Sequence, residues 1–548
     1  MAQDVIRAEL SRVAAALGAP EGFVVELETP RDKAHGDVAT NMALALAKAL
    51  KGPPRKIAER IVAALAFPPG VVSGVEIAGP GFINFRLSDD QLATVFTRVI
   101  AGAQYFGRAM AAQPQRVNVE FVSANPTGPL HVAHGRGAAL GDCVATLLEW
   151  QGHEVEREFY VNDGGVQIER LAQSLWARVR QAAGFEAAIP ENGYHGQYLM
   201  AMAFMLLESR GREFAETDPG LAVPQCGEYA VTVLRREQEE DLANFGVRFN
   251  LFFSETELYR DRRIDGVLQK LKARGTSFEE DGALWLRTTA FGDDKDRVLR
   301  KSDGQFTYFT PDIAYHEHKA ERGFDRAIDV WGADHHGYVP RMRAAMQALG
   351  HEPDFFEALI VQLVSIVKNG EEVKMSKRSG EFITLRELVD EVGVDAARYF
   401  FLMRRSDTPF AFDIDLALKH TEENPVFYVQ MAHARMAGIF RVGGIDPASV
   451  TAQGADIAAL TDPSEPELLK LLARFPETVQ RAATSLEPQR VTQYLEDLAR
   501  AAHHWYHRCR VLGEPQPVER SRLALARAAQ IVLANGLRLL GLTAPERM

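Results

Sequence analysis

Only three of the 548 residues are cysteine, Cys143, Cys226 and Cys509, and none belongs to a CxxC pair. That scarcity argues against a disulfide framework and against a thiolate zinc site, and it suits a reducing compartment. Long apolar runs are missing too, so no segment reads as membrane-spanning. The N-terminus, MAQDVIRAELSRVAAAL, sets Val5, Ile6, Leu10, Val13 and Leu17 on one helical stripe, unlike the unbroken apolar stretch of a signal peptide. A cytoplasmic location is expected. Basic residues are in the minority, 62 Lys and Arg against 74 Asp and Glu, for a formal net charge of -12. Composition therefore gives no support to a nucleic-acid partner, although binding needs only a local basic face. Repeats and low-complexity tracts are also lacking. What is there, 46% hydrophobic and 25% charged residues, has the balance of a soluble globular chain, and its length calls for two to four domains.

Periodicity divides the chain. Residues 1–110 suggest an α+β unit, with helices over 3–17, 37–50 and 54–65 and two strands in GVEIAGPGFINFRLS that turn at Gly79-Pro80-Gly81. After a linker at 110–115, RVNVEFVS reads as a strand, ANPTGP as a turn, LHVAHGRGAALGDCVATLLEWQG as a helix and EVEREFYV as a second strand. Strand, turn, helix, strand is a βαβ unit and implies a parallel sheet covered by helices. Residues 115–415 are expected to form this α/β domain, with an inserted, largely helical segment at about 165–285. Strand signals return at DGALWLRTT, FTYFT, FDRAIDVWG and FFEALIVQLVSIV. Residues 416–548 read as an all-α bundle.

Two clusters carry chemistry. In NPTGPLHVAHGRG, His131 and His134 share a face at the start of a helix, where free N–H groups and the helix dipole favour phosphate. Pro126, Thr127, Gly128 and Gly135 flank them, and the glycines, with Gly137, allow a ligand close to the backbone. Taken alone, the pair could equally be incidental surface histidines or metal ligands. Far downstream, VKNGEEVKMSKRSG places Lys374, Met375, Ser376, Lys377 and Arg378 between glycines, a cationic loop able to close over a triphosphate. By itself it could be a solvated basic loop. His316-Glu317-His318 and His503-His504 lie in helical patterns and read as packed or solvated histidines, so no metal site is expected.

Together, HxxH after a first strand and KMSK after a late one resemble the paired signatures of class I aminoacyl-tRNA synthetases, with Ala133 where that family usually has glycine. EFVSANPTGPLHVAHGRGAALGD, YVNDGGVQI, YFTPDIAYHEHK, DVWGADHHGYVPRM, DAARYFFL, NPVFYVQMAHAR and the ending APERM resemble the arginyl-tRNA synthetases. The resemblance implies a Rossmann-like catalytic domain, an N-terminal domain that touches the tRNA elbow and a C-terminal helical anticodon-binding domain. It implies a ligase that activates L-arginine with ATP and transfers it to tRNA(Arg), with Mg2+ accompanying ATP, no zinc and no membrane partner; a monomer is expected. Glu120, Ser123, Asn125, Tyr308 and Asp312 are implied as arginine contacts, with Asp334 and His335 on the pocket wall. His131, His134, Lys374, Ser376 and Lys377 are implied as catalytic. The requirement is physically sensible, because a guanidinium fork is best met by carboxylates and carbonyls. Asp312 also reads as a possible helix cap. In the bundle, Arg435, Arg441, Arg490, Arg500, Arg508 and Arg510 offer phosphate contacts, and Trp505 and Tyr506 offer stacking surfaces.

If the cationic loop acts mainly in the transition state, Lys377→Ala lowers the rate of tRNA charging at least about a hundredfold with little change in tRNA affinity. Steady-state charging with an unchanged turnover number would contradict this.

Overall fold

The computed structural model describes residues 2–28, 30, 35–373 and 383–548. The second cluster, Lys374, Met375, Ser376 and Lys377 with Arg378, lies outside the described residues. Strands β1 (Val38–Thr40), β2 (Val72–Ala78) and β3 (Phe82–Leu87) form an N-terminal antiparallel sheet in the order β1-β3-β2. Its core joins Ile6, Leu10 and Val13 of the helix Ala2–Ala16 to Ile57 and Ile61 of the helix Pro54–Ala64, with Ile83 and Phe85 between them. The helix expected over 37–50 is replaced by β1 and a short helix, Met42–Leu46. Val38, Ala39 and Thr40 pair with Phe85, Asn84 and Ile83, and the Thr40 hydroxyl donates to the Glu26 carbonyl, so tertiary pairing overrides local propensity. The expected unit 1–110 draws on two cores, because Leu92, Val95, Phe96, Val99 and Phe106 pack with the downstream domain.

The central sheet is wholly parallel. Strands β4 (Arg116–Glu120), β5 (Glu154–Val161) and β6 (Leu251–Ser254) run outward to one side; β10 (Arg326–Gly332) and β11 (Phe356–Val361) run outward to the other, in the order β11-β10-β4-β5-β6. The winding therefore reverses between β4 and β10, and in such sheets the crevice beyond the carboxyl ends at the reversal is where ligands bind. The crossover helix Val132–Trp150 is buried along nearly its whole length. It can lie this close because a Cβ at Gly141 would stand 2.2 Å from the Phe121 ring.

Between β5 and β6 are the helices Gly165–Ala182, Gln197–Arg210 and Pro219–Asn244, which have a core of their own around Leu171, Leu175 and Leu234. Because β6 belongs to the parallel sheet, the excursion ends before residue 251 rather than near 285. Strands β7 (Ser277–Glu280), β8 (Ala283–Leu286) and β9 (Arg297–Arg300) make a separate antiparallel sheet. FTYFT is not a strand: Phe306 makes one bridge to Arg300, and the helix Phe309–Glu321 starts at its end. Strands β12 (Val364–Lys368), β13 (Glu371–Glu372) and β14 (Phe410–Asp413) form the last sheet.

Four long helices, Pro425–Gly443, Ser464–Thr484, Gln489–Arg508 and Val518–Leu539, close the chain. Their core is continuous with that of the central sheet, since Val119, Phe121 and Leu147 belong to the same cluster as Leu468, Trp505 and Val532. Arg398, fully buried, joins the parts. Its guanidinium pairs with Asp142 at 2.6 Å and donates to the carbonyls of Leu540 at 3.0 Å and Phe245 at 3.3 Å. Arg398→Ala leaves Asp142 with Arg157 at 3.0 Å as its remaining cation and removes the donor to the Leu540 and Phe245 carbonyls, and is expected to cost about 1–3 kcal/mol, read as a lowered thermal unfolding midpoint. An unchanged midpoint would remove Arg398 from this role.

Candidate active site

Strand register puts three carboxylates side by side. Glu120 of β4 is paired with Glu158 of β5 on one side and with Asp329 of β10 on the other. All three are buried, and like charges directly opposite in a sheet repel. One helix answers them. From Phe309–Glu321 and the residue that follows it, Tyr315, His316, Lys319 and Arg322 reach down onto the row. The Lys319 ammonium donates to Glu120 Oε2 at 2.6 Å and Asp329 Oδ1 at 3.0 Å. Glu158 accepts from the Tyr315 hydroxyl at 2.8 Å, from Arg322 at 2.7 Å and from the Asn118 amide at 2.7 Å. His316 faces two acceptors, the Asp312 carbonyl at 2.8 Å and Asp329 Oδ2 at 2.7 Å, an arrangement that favours the doubly protonated ring. The directions agree: burial opposes the charge, but Asp329 holds the His316 pKa up. Asp329 itself is held below the ordinary range by Lys319 and His316, against the opposing effect of burial. Glu120 is pushed up by burial and by Asp329, which outweigh the opposing effects of Lys319 and His316.

Just past β4 the backbone is strained. Val122 and Ser123 take φ of 69° and 40°, values that a β-branched residue rarely adopts and that cluster at functional sites. This kink turns the Ser123 hydroxyl back to donate to Glu120 Oε1 at 2.9 Å while it accepts from the Tyr160 N–H at 3.1 Å. The Asn125 amide donates to Gln167 at 2.8 Å. Gly128 lies beneath Tyr198, whose hydroxyl donates to the Thr127 carbonyl at 2.6 Å. His131 is the N-cap of the helix Val132–Trp150, and its ring stacks on that of His134 with centroids 3.7 Å apart. The His131 N–H donates to His134 Nδ1 at 3.2 Å, so the two imidazoles form one platform at the helix start. The missing side chain of Gly135 serves packing, as a Cβ there would lie 2.6 Å from Leu385.

Across the crevice, Tyr308 stands 89% exposed at the start of its helix, with Asp312 one turn further on the same face. Asp312 is not a cap; its Oδ2 accepts from the Tyr338 hydroxyl at 2.6 Å. Glu255, at the end of β6, is hydrogen-bonded by Tyr160 and Tyr259. Burial is the chief cause raising the pKa of both Asp312 and Glu255, and Asp312 adds to the rise at Glu255. Two half-buried carboxylates among tyrosines, pushed towards the neutral form, make a site suited to a cation. Asp334 and His335 pair at 3.5 Å with mostly exposed side chains, at the mouth rather than in the buried row. Sequence reasoning missed Lys319, Asp329, Tyr338 and Glu255.

Glu120, His316 and Asp329 offer ligand atoms within 4.8 Å of one another. The Lys319 ammonium already stands against two of these three groups, so they do not fit a resident metal ion. Trp505 is fully buried in the bundle core and cannot stack on a base. Arg490, Arg500 and Arg508 are paired with Glu487, Asp497 and Asp462. Arg435, Arg441, Tyr506, Arg510, Arg547 and Met548 instead line a cavity of about 970 Å³ at the end of the bundle.

Three family models match in order: the arginyl tRNA synthetase N terminal domain over residues 1–87, the tRNA synthetases class I (R) catalytic domain over 96–196 and 220–408, and the DALR anticodon binding domain over 429–548. The chain is 46% identical to an arginine–tRNA ligase of Bacillus subtilis over 553 aligned residues, which cover 100% of this chain and 99% of the relative. The chain belongs to the arginyl-tRNA synthetase family. It is also 49% identical to an arginine–tRNA ligase of Syntrophotalea carbinolica, over 96% of this chain and 95% of the relative. The arginyl-tRNA synthetase structure from Thermus thermophilus, at 24% identity, shares the fold over the full length of both chains with a TM-score of 0.81.

The raised carboxylates set the sign of a pH effect. A guanidinium ligand binds the ionised forms, so its affinity is full above the pKa values of Asp312 and Glu255 and falls as the pH drops through them. With L-arginine as the probe, Kd is expected to rise with acidification, approaching about tenfold per pH unit for one carboxylate below its pKa. ATP binding should change less over the same range. An arginine Kd indifferent to acidification would rule out this pocket.

Proposed function

We propose that this chain is an arginine–tRNA ligase whose amino-acid pocket is the acidic crevice between β4, β6 and the helix Phe309–Glu321. The observation that carries this reading is the pair Asp312 and Glu255, half-buried carboxylates that with Glu120 all lie near enough to Tyr160 to raise its pKa, with the Tyr338 hydroxyl donating to Asp312 at 2.6 Å. In this reading the guanidinium lies between Asp312 and Glu255 with the Tyr308 ring as a wall, a geometry that suits a planar cation. Glu120, fixed by Lys319 and Ser123, faces the α-ammonium, with Asn125 nearby; Asp334 and His335 close the mouth.

ATP lies along residues 125–128 with its phosphates at the helix start. One arginine carboxylate oxygen attacks the α-phosphorus and the bond to pyrophosphate breaks, giving arginyl-adenylate. His131 and His134 donate to the phosphate oxygens as charge builds there. Lys374 and Lys377, with Ser376, neutralise the departing pyrophosphate. A ribose hydroxyl of the terminal adenosine of tRNA(Arg) then attacks the adenylate carbonyl, and AMP leaves. Magnesium enters with ATP as part of the substrate. The cavity around Arg435, Arg441 and Tyr506 is read as the anticodon surface, and the N-terminal sheet domain as the part that meets the tRNA elbow.

A charging panel of all amino acids against tRNA(Arg) tests the reading: arginine alone is expected to be incorporated, and preference for another amino acid would refute it. The pocket walls come from both halves of the sheet, and the bundle shares their core, so docked tRNA can tighten both walls together. Arginine-dependent exchange of pyrophosphate into ATP is accordingly expected to stay near background until tRNA is added. Robust exchange without tRNA would mean that the pocket is already assembled.

A further inference from the structure

Two buried polar residues on one turn of the inserted segment are bound to both ends of the nucleotide site, although neither belongs to it. Gln238 and Asp241 lie three apart on the helix Pro219–Asn244 and so share a face. The Gln238 side-chain amide donates to the carbonyls of Asn125 at 3.2 Å and Gly128 at 2.9 Å, gripping residues 125–128 at both ends. Asp241 Oδ1 accepts from Arg386 at 2.7 Å through Nε and at 2.6 Å through Nη2. Arg386 is the second residue of the helix Leu385–Val392, which follows the Lys374–Lys377 cluster in the chain. Just before that helix, Thr384 pairs with His131 as an antiparallel bridge, and the Leu385 N–H donates to the Leu130 carbonyl at 2.8 Å. The start of the HxxH helix and the exit from the KMSK segment therefore meet directly, and one turn of a third helix holds both from the side.

We propose that Gln238 and Asp241 are positioning residues that fix residues 125–128 relative to the exit of the second signature, so that the inserted helix sets ATP affinity without touching ATP. The inference rests on the reading of these segments as the ATP site. Its physical basis is that a buried amide or carboxylate cannot give up its partners without a penalty, so each end of the turn moves only with the other. A link with two ends has a characteristic signature: breaking either end uncouples the segments, and breaking the second adds little.

The test is a cycle of Gln238→Leu, Arg386→Met and the double variant, with the ATP Kd measured by equilibrium dialysis of radiolabelled ATP on full-length protein. Each single variant is expected to weaken ATP binding about tenfold. The double variant should fall within about threefold of the weaker single one. Arg386→Lys, which keeps a cation for Asp241, should recover affinity to within about threefold of the unsubstituted protein. Should Gln238→Leu fail to fold, Gln238→Glu keeps the shape and presents acceptors to the two carbonyls, and the same weakening is expected. Unchanged ATP affinity in the single variants, or losses that multiply towards about a hundredfold in the double, would overturn the proposal. The dialysis needs neither arginine nor tRNA, so it is separate from the charging panel that judges the enzyme's specificity.

Discussion

Three carboxylates in one row of a buried parallel sheet cannot stand without cations, and a single helix supplies them. Glu158, Glu120 and Asp329 are brought abreast by register, and Tyr315, His316, Lys319 and Arg322 follow the helical repeat that lays one stripe along the row. Lys319 and Arg322, with His316 beside them, set positive charge against the row. Desolvated charges are costly, and removing one partner of such a set leaves the others uncompensated. The helix Phe309–Glu321 is thereby pinned across the point where the sheet reverses its winding. Everything on the crevice side of that helix inherits the constraint: Tyr308 and Asp312 project from its first turns, and Asp312 also lends its carbonyl to His316. The pocket's shape is set by ion pairs its ligand never touches.

The HxxH platform and the helix that follows the cationic segment in the chain are separated by most of the catalytic domain, and their meeting depends on a few backbone contacts. Leu130 and Leu385 exchange a hydrogen bond, and His131 is bridged to Thr384. Gly135 lets Leu385 and Phe401 approach the signature helix. Arg136, next along that helix and fully buried, donates to the carbonyls of Gln362, Arg405 and Thr408, so the same helical turn also holds the segments that border β12 and β14. Burial pushes its pKa down to about 10, against the opposing effect of Asp407.

Much of this was legible in the residues. The βαβ unit, the histidine pair at a helix start and the aromatic and acidic face at Tyr308 and Asp312 follow from local pattern, and the structure joins Ser123 to Glu120 and His131 to His134. The charge row was not legible. Asp329 interrupts an apolar strand and Glu120 ends one, which marks a buried acid seeking a partner, but Glu158 sits among other charges in EVEREFYV, and only the register of parallel strands shows that the three are neighbours. Lys319 was hidden for the same reason, its value lying in two strands remote in the chain. Trp505 is a different case. Val491, Leu495, Leu498, Ala502 and Trp505 form one helical stripe, and reading that period before the chemistry of the indole would have placed it in the core. At 38–40 the strand exists because β3 pairs with it on one side and Glu28 bridges to Ala39 on the other, which no local preference encodes.

The continuity of the main core has a consequence for how the chain is made. Leu92, Val95 and Phe96 of the helix Asp89–Gly102 pack in the same cluster as Leu525, Val532 and Leu537 of the last long helix, and Asn535 donates to the carbonyls of Ala103 and Phe106. Cys143 of the signature helix reaches the Leu539 carbonyl, and Arg398 reaches that of Leu540. A ribosome delivers these partners last. At roughly 5–20 residues per second, the early helices wait on the order of a minute for the surfaces that cover them. The N-terminal sheet domain, with its own core, can fold as it emerges. The catalytic domain must leave the ribosome with one apolar flank open, and it is completed only when the C-terminal helix swings back onto residues synthesised near the beginning.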